Sequence, residues 1–267
     1  MMRWFILLIL ILFVFCGCEK EKLGTRKEEI FMKNITEGNI TIINVYDNVE
    51  FDSRFKVGFG FGCVVKIKNK TILFDTGGDS PTLLANLETA GIKPEEIDIV
   101  FLSHIHGDHV GGLNGFLEKN SNVKVYLPIS FSESFKEDVK SVGADVVEVS
   151  DSVKIIDGVY STGELGVLIK EQSMMIDSDK GLIVITGCAH PGIVKIVRKA
   201  KELMDKDVYL VMGGFHSPPL SVVQEFRELE VEKVAPSHCT GDQAIQAFAE
   251  EYKEDFIKNG VGKIIKI

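Results

Sequence analysis

The sequence predicts an α/β fold in which two β-sheets pack face to face and helices cover their outer faces. Short β-rich stretches and alternating strands and helices occur in both halves of the chain. No tandem repeat or low-complexity insert interrupts this pattern. In addition, the buried strand predicted at Ile97–Leu102 runs directly into a histidine-rich loop, FLSHIHGDHVGG at 101–112. Open α/β sheets place their sites at such strand ends.

The strands are predicted from apolar runs and period-two alternation between turn residues. They are Asn39–Val45, Cys63–Lys68, Thr71–Phe74, Ile97–Leu102, Val123–Leu127, Val146–Val149, Val153–Tyr160, Gly166–Ile169, Met174–Ile176, Leu182–Thr186, Val208–Met212, Lys233–Ala235 and Lys263–Ile267.

The helices are predicted from apolar residues at helical spacing and from capping signals. In the first helix, Ser80 is expected to cap the N-terminus, Pro81 to occupy the first helical position and Gly91 to close the helix. The predicted helices are Ser80–Ala90, Leu113–Lys119, Ser132–Val142, Ile193–Met204, Val222–Leu229 and Asp242–Lys258.

The loop after the fourth strand carries three imidazoles and one carboxylate, on His104, His106, Asp108 and His109. Imidazole and carboxylate together suit zinc, manganese or iron rather than calcium. A catalytic zinc usually takes three protein ligands and keeps an open position, so four such groups crowd one ion. We therefore expect two divalent ions, zinc or manganese, with His104 and His106 on one and Asp108 and His109 on the other.

The H-x-H-x-D-H pattern in SHIHGDHVGG resembles the hallmark of the metallo-β-lactamase superfamily. This resemblance extends from about residue 40 to the C-terminus and implies a four-layer αββα sandwich with a metal site at one edge. TGCAHPGI at 186–193, GGFH at 213–216 and PSHCTG at 236–241 resemble the subgroup named dihydropterin/ribofuranosyl-aminobenzene-phosphate synthase-like hydrolases. Asp75 in the DTGG turn resembles the early Asp that supports the metal loop from behind.

The chain has six histidines, and the three outside the central motif each follow a predicted strand. The superfamily normally has a third metal-binding His between the central motif and a later strand-end Asp or Cys. Here no His lies between His109 and His190, and Ser161–Glu164 stands where it is expected. We expect His190 to take that place and His238 to be the last ligand, on the second metal.

Three further residues are candidates for lesser roles at the metals. Cys188 stands at the strand end where other members carry Asp or Cys, so it either bridges the metals or lies just outside them. Glu171 is a further oxygen candidate. His216 is either a ligand or, as we prefer, a proton donor that faces the substrate.

The expected reaction is metal-dependent hydrolysis of an ester, phosphodiester, lactone or amide bond in a small molecule. Asp108 and His216 are the expected catalytic side chains, Asp108 for holding a metal and orienting the attacking water and His216 for protonating the leaving group. A pterin-precursor synthase, a mononuclear iron redox enzyme and a nonenzymatic metal-binding module are the alternatives.

The first residues differ in character from the rest. Arg3 precedes an uncharged apolar run that ends at Cys16-Gly17-Cys18, the pattern of a secretory signal. The run is short for a membrane span, which needs ~20 apolar residues. The Gly17-Cys18 end resembles a bacterial lipobox, which implies that residues 1–18 are a lipoprotein signal lipidated at Cys18. The alternative is an uncleaved apolar anchor. Either one predicts an exported, membrane-associated protein with a tether at 19–38 and a catalytic domain at 39–267.

The net charge of −9 disfavours nucleic acid as the main partner, because polyanion binding needs basic patches. The five cysteines do not form a convincing disulfide framework, since two lie in the signal and the other three are scattered. Phe55, Phe59 and Phe61 alternate with glycines before a strand. They either line a substrate entrance or pack inward in a glycine-rich hairpin.

Overall fold

The computed structural model describes residues 40–267, so the predicted signal and tether lie outside the described residues. The strands are β1 Ile40–Asp47, β2 Phe61–Ile67, β3 Lys70–Phe74, β4 Ile99–Phe101, β5 Lys124–Pro128, β6 Asp145–Val149, β7 Val153–Ile156, β8 Val159–Ser161, β9 Met174–Ser178, β10 Gly181–Thr186, β11 Val208–Gly214, β12 Lys233–Ser237 and β13 Ile264–Lys266. The α-helices are α1 Ser80–Thr89, α2 Gly107–Val110, α3 Leu113–Leu117, α4 Glu133–Ser141, α5 Ile193–Met204, α6 Ser221–Glu228 and α7 Asp242–Tyr252. Short 3₁₀ turns lie at Pro94–Glu96, His238–Thr240 and Lys253–Asp255.

The strands form two mixed sheets. The first has seven strands in the order β13-β1-β2-β3-β4-β5-β6, and the second has six in the order β12-β11-β10-β9-β8-β7. Strands β3 to β6 are parallel to one another, as are β10 to β12, and the remaining pairs are antiparallel. The four strands that end at the histidine loops, β4, β10, β11 and β12, are all among these parallel strands.

The main core lies between the two sheets, where buried side chains of both sheets meet, such as Phe74 and Phe101 of one and Ile183 and Met212 of the other. A second core lies between the second sheet and helices α5, α6 and α7, and includes Phe226 and Phe248. On the first sheet, Leu83 of α1 and Phe116 of α3 are fully buried. The predicted αββα sandwich is therefore confirmed. Within residues 40–267, no helix is both long enough and apolar enough to cross a bilayer.

The N-terminal cap of α1 differs from the prediction. Asp79, not Ser80, is the cap residue, and its carboxylate accepts hydrogen bonds from the Thr82 N–H at 2.7 Å and from the Tyr46 hydroxyl at 2.6 Å. Ser80 instead uses its hydroxyl to accept from the Gly115 N–H at 3.1 Å, which ties α1 to α3. Pro81 stands in the first turn, as expected.

Two other predictions are wrong. Gly166–Ile169 is not a strand: Val167 and Leu168 are 87% and 94% exposed, so this apolar run has no sheet neighbour to cover it. The last helix ends at Tyr252 rather than Lys258, because Lys253 adopts a positive φ of 51° and turns the chain away. The following residues return toward β12, where Ile257 donates to the Val234 carbonyl at 2.8 Å.

Candidate metal centre

All six histidines of the chain lie at one edge of the sandwich, where parallel strands of both sheets end. His104 follows β4 and leads into α2, which carries Asp108 and His109. His190, His216 and His238 follow β10, β11 and β12 in turn. Strands that run parallel bring their following loops to the same edge, so Asp108 and His238, 130 positions apart, meet there.

The first group of potential ligands consists of His104, His106 and His190. The His104 Nε2 and His106 Nδ1 atoms are 3.2 Å apart. The His190 Nε2 and His106 Nδ1 atoms are also 3.2 Å apart. The structure therefore places His190 beside the H-x-H pair, where the third histidine of a three-ligand site is required.

The second group consists of Asp108, His109, Cys188 and His238. The His109 Nε2 atom lies 3.2 Å from both the His238 Nε2 atom and the Cys188 sulfur. The Asp108 Oδ2 atom lies 3.3 Å from the His238 Nε2 atom. The two groups adjoin, because the His104 and His109 rings are 4.2 Å apart between centroids.

Buried acceptors hold the outward-facing nitrogens of the cluster. Asp75 is fully buried, and its Oδ2 atom accepts from the Ser103 hydroxyl at 2.6 Å and lies 2.7 Å from His109 Nδ1. Since the Ser103 proton is donated to Asp75, the Ser103 oxygen accepts from His104 Nδ1, 2.9 Å away. In the neutral form, both rings therefore keep an unprotonated Nε2 that faces the cluster.

His238 is oriented in the same way by a residue that sequence reasoning missed. Its Nδ1 atom lies 2.7 Å from the Asn48 Oδ1 atom, and the Asn48 amide donates to the His238 carbonyl at 3.2 Å. Asn48 follows β1, and no local motif identifies it. Ser103 is also missed, although its place next to the H-x-H pattern is a signal that could have identified it.

Close packing around Asp75 leaves room only for a glycine after β10. A Cβ atom on Gly187 would lie 2.1 Å from the Ser103 Oγ atom and 3.0 Å from the Asp75 Oδ2 atom. This glycine lets the TGCAH segment approach the Asp75–Ser103 pair, and so brings Cys188 and His190 to the cluster.

The donor set fits cations. Facing ring nitrogens that all carry lone pairs repel one another unless a cation or a proton lies between them. Burial and the neighbouring imidazoles lower the pKa of His104 well below its usual range. Burial, together with His216 and His106, lowers the pKa of His190 to about 4. Protonation is thus disfavoured at these two rings, which leaves them as ligands ready for a metal ion.

Asp108 supplies the negative charge of the second group. Burial alone raises the pKa of this carboxyl, but the protonated forms of His238 and His109, through a hydrogen bond from His238 and through their positive charges, lower it to about 2. Asp108 is therefore ionised at neutral pH, as a ligand must be. Its side chain is 19% exposed, so one side of the carboxylate faces the opening.

Glu171 lies behind the TGCAH segment. Its Oε1 atom accepts from the N–H groups of Gly187, Cys188 and Ala189 at 3.1, 3.1 and 2.9 Å. Its Oε2 atom accepts from the His190 N–H at 2.8 Å. Burial raises the pKa of Glu171 to about 7, whereas these backbone bonds favour its ionised form. Both oxygens are occupied, so we assign Glu171 to positioning this segment rather than to a metal.

A third group combines Cys188 with His216 and Cys239. His216 is exposed, and its ring packs against that of His190 at an angle of 55°, with 4.3 Å between centroids. Sequence reasoning missed Cys239 as a candidate ligand, although it follows His238 directly in the PSHCTG segment. Cys188 belongs to the second group and to this one, so its sulfur lies between His109 and the thiol of Cys239.

The phenylalanines at 55, 59 and 61, the last of which begins β2, divide between the two roles expected for them. Phe55 and Phe61 are buried at 4% and 0% exposure and pack inward. Phe59 is 71% exposed, and its ring centroid lies 5.7 Å from that of His238. Phe59 alone is therefore available at the entrance to the cluster.

We expect Asp75→Asn to weaken metal binding by roughly 10- to 100-fold while the protein still folds, because outer partners of metal-bound histidines typically contribute that much. An amide has one acceptor oxygen, so its NH2 group must face either the Ser103 N–H or the Ser103 hydroxyl and His109, and one side of the network loses its acceptor. Zinc titration with a competing chelator measures the change. Asp157→Asn, at a carboxylate 76% exposed on the surface, is the control. Unchanged affinity in Asp75→Asn would contradict the role assigned to Asp75.

Comparison with known proteins agrees with this geometry. The sequence profile of the metallo-beta-lactamase superfamily matches residues 57–238. A relative from Methanocaldococcus jannaschii, named 7,8-dihydropterin-6-methyl-4-(beta-D-ribofuranosyl)-aminobenzene-5'-phosphate synthase, is 30% identical over 86% of this chain and 98% of its own.

Solved structures show the same fold. Tm1679, described as a metal-dependent hydrolase of the beta-lactamase superfamily, superposes with a TM-score of 0.74 and 26% identity, over 85% of this chain and 99% of its own. The short form of human tRNase Z superposes with a TM-score of 0.60 and 14% identity over the same two fractions, which shows a shared fold alone. The profile match covers more than half of the chain and includes the central histidine motif. The chain therefore belongs to the metallo-beta-lactamase superfamily.

Proposed function

We propose that the protein is a hydrolase that uses two divalent metal ions to cleave an ester, phosphodiester, lactone or amide bond of a small molecule. The observation that carries this proposal is the pair of adjoining ligand groups with inward-facing lone pairs. His104, His106 and His190 would hold one ion. Asp108, His109 and His238 would hold the other, with Cys188 at its side. The soft sulfur of Cys188 and the imidazoles favour zinc over manganese at the second site.

When bound, such ions polarise a substrate oxygen and make a nearby water more acidic. The protein side chains then decide how that water is held. Asp108 is ionised, partly exposed and next to the ring nitrogens, so its free oxygen accepts a hydrogen bond from the water and orients it. His109 and His238 are fixed from behind by Asp75 and Asn48 and cannot turn toward the substrate.

His216 is suited to protonate the leaving group. It is exposed, while the other histidines of the cluster are buried or half-buried, and it lies beside His190. Imidazole is the side chain most often used for general acid catalysis, which typically contributes ~10²–10⁴ in rate. In this proposal, His216 donates a proton to the leaving group, and Asp108 orients the attacking water.

A dihydropterin/ribofuranosyl-aminobenzene-phosphate synthase-like activity is the second candidate. The relative that carries that name is 30% identical and the described hydrolase Tm1679 is 26% identical, and each covers at least 85% of both chains. Both candidates use the same ligand groups, and they differ in whether water or a second organic substrate reaches the reactive carbon or phosphorus. A mononuclear iron redox enzyme is a third possibility for the same fold.

Metal analysis together with an activity screen tests the proposal. Purified protein is analysed for metals by mass spectrometry, then stripped with chelator and reloaded with zinc or manganese. We expect two ions per chain and metal-dependent turnover of at least one compound among phosphodiesters, lactones and thioesters. One iron per chain would support redox chemistry instead, and no bound metal would overturn the proposal. Product formation only when a pterin precursor and a ribosylated arylamine are supplied together would favour the synthase.

We further propose that the protein is exported and held at the membrane through lipid on Cys18. Cys18→Ser removes the sulfur that would carry the lipid, so the variant is expected in the soluble fraction after cell lysis. Cell fractionation followed by intact-mass measurement makes the comparison, with Cys63→Ser as the control at a buried cysteine of the folded domain. A variant that remains with the membranes at its uncleaved mass would show a plain apolar anchor.

A further inference from the structure

A cavity of about 350 Å³ opens next to the metal centre, on the side of His190 and His216. Its volume lies within the range of small-molecule sites, ≈ 300–1,000 Å³. The cavity lies between the start of α5, the loop after β11 and the start of α6. We call it the α5 pocket.

The interior of the α5 pocket is apolar and fixed. Ile193 and Phe215 line it and are 2% and 1% exposed, and Val222 is 5% exposed. The Phe215 ring packs against those of Phe226 and Phe248, at centroid distances of 5.8 and 5.5 Å. A ligand group that enters this pocket therefore meets a preformed apolar surface and does not have to order it.

The rim of the α5 pocket is cationic. Lys195 and Arg198 lie on it, with Glu225 as the acidic member. Arg198 and Glu225 are 3.6 Å apart and are 58% and 37% exposed, so their ion pair is weak. Lys195 has no ion pair within residues 40–267, and the rim therefore carries a net positive charge in a chain whose net charge is −9.

We propose that the α5 pocket binds the part of the substrate remote from the reacting bond, and that this part is an apolar group ending in one anion, such as a carboxylate, sulfonate or phosphate. The apolar group lies against Phe215 and Val222, and the anion meets Lys195 and Arg198. This inference rests on the proposed function, because His190 and His216 form the wall that the pocket shares with the metal centre. Arg198 follows Ile193 by five positions on α5, a rise of about 7.5 Å from the inner wall to the far end of the cationic rim.

The test uses a matched pair of fluorescent probes and needs no turnover. Anilinonaphthalene sulfonate carries an aromatic body and one anion, and N-phenylnaphthylamine has the same body without charge. We expect the anionic probe to bind the folded full-length protein at one saturable site and more tightly than the neutral probe. In the double variant Lys195→Gln/Arg198→Gln, its Kd should rise at least ~10-fold, since a charge-assisted hydrogen bond is worth ≈ 1.5–3 kcal/mol. The neutral probe should bind both proteins alike.

Lys199→Gln is the control, because Lys199 lies on the same helix outside the pocket and pairs with Glu202. Equal affinity for both probes, or an unchanged Kd in the double variant, would overturn the proposal. For any substrate found in the activity screen, the anionic probe should inhibit competitively, and noncompetitive inhibition would overturn the shared-wall assignment. An inactive protein that still discriminates between the probes would refute the proposed hydrolysis without refuting the pocket.

Discussion

Asp108→Asn is expected to abolish turnover while leaving the fold intact. The carboxylate is the one anionic oxygen ligand of the second group, and it also orients the attacking water. Outer partners of metal ligands already contribute ~10–100-fold to activity, so the loss on removing a ligand with two roles should exceed about 100-fold in kcat. The amide has nearly the same size, and Asp108 stands in the short helix α2 with a side chain that is 19% exposed.

The measurement is kcat with the metal-loaded variant, accompanied by a melting curve and a metal count. Asp157→Asn is a suitable control, because it removes a carboxylate that is 76% exposed and bonded only to surface lysines. A folded Asp108→Asn protein with near-normal kcat would contradict the central assignment. Loss of the second ion together with activity would show that Asp108 acts mainly by holding the metal.

The elements that could be predicted from sequence are those whose pattern is local. Helix α5 has the predicted bounds, Ile193–Met204, because its apolar residues recur at helical spacing and Gly192 precedes it. Asp205 then adopts a left-handed φ of 50° and ends the helix. The strand predicted at Gly166–Ile169 from local β-propensity is absent, by contrast, because a strand also needs a neighbouring strand to pair with.

In the candidate site too, the features with a local sequence pattern could be predicted, and those that depend on tertiary packing could not. The spacing of H-x-H-x-D-H is local, so the pairing of His104 with His106 and of Asp108 with His109 is visible in the sequence and recurs in the two ligand groups. The contribution of Asn48 is not visible, since β1 reaches His238 only through the packing of the two sheets. Glu171 was visible as a carboxylate, but its four backbone partners depend on how the TGCAH segment turns.

The second large expected effect is that of His190→Ala, because no histidine lies between His109 and His190 to serve as the third ligand. His190 and the H-x-H pair meet through facing nitrogens, so His190→Ala should leave the first site with two ligands. That is below the three-ligand norm for zinc. We expect the bound metal to fall from two ions to one per chain, with activity lost as well. Metal content by mass spectrometry after gel filtration measures the change.

His216→Ala is the matched comparison, because the two rings pack against each other but only His190 points its nitrogen at His106. This variant should keep both ions and lose ~10²–10⁴ in kcat, as the removal of a general acid does. The two alanine variants therefore have opposite signatures in the metal assay. If His216→Ala loses an ion and His190→Ala keeps both, the assignments are reversed. His216 would then complete a site with Cys188 and Cys239, the third ligand group, and His190 would only position the ligands around it.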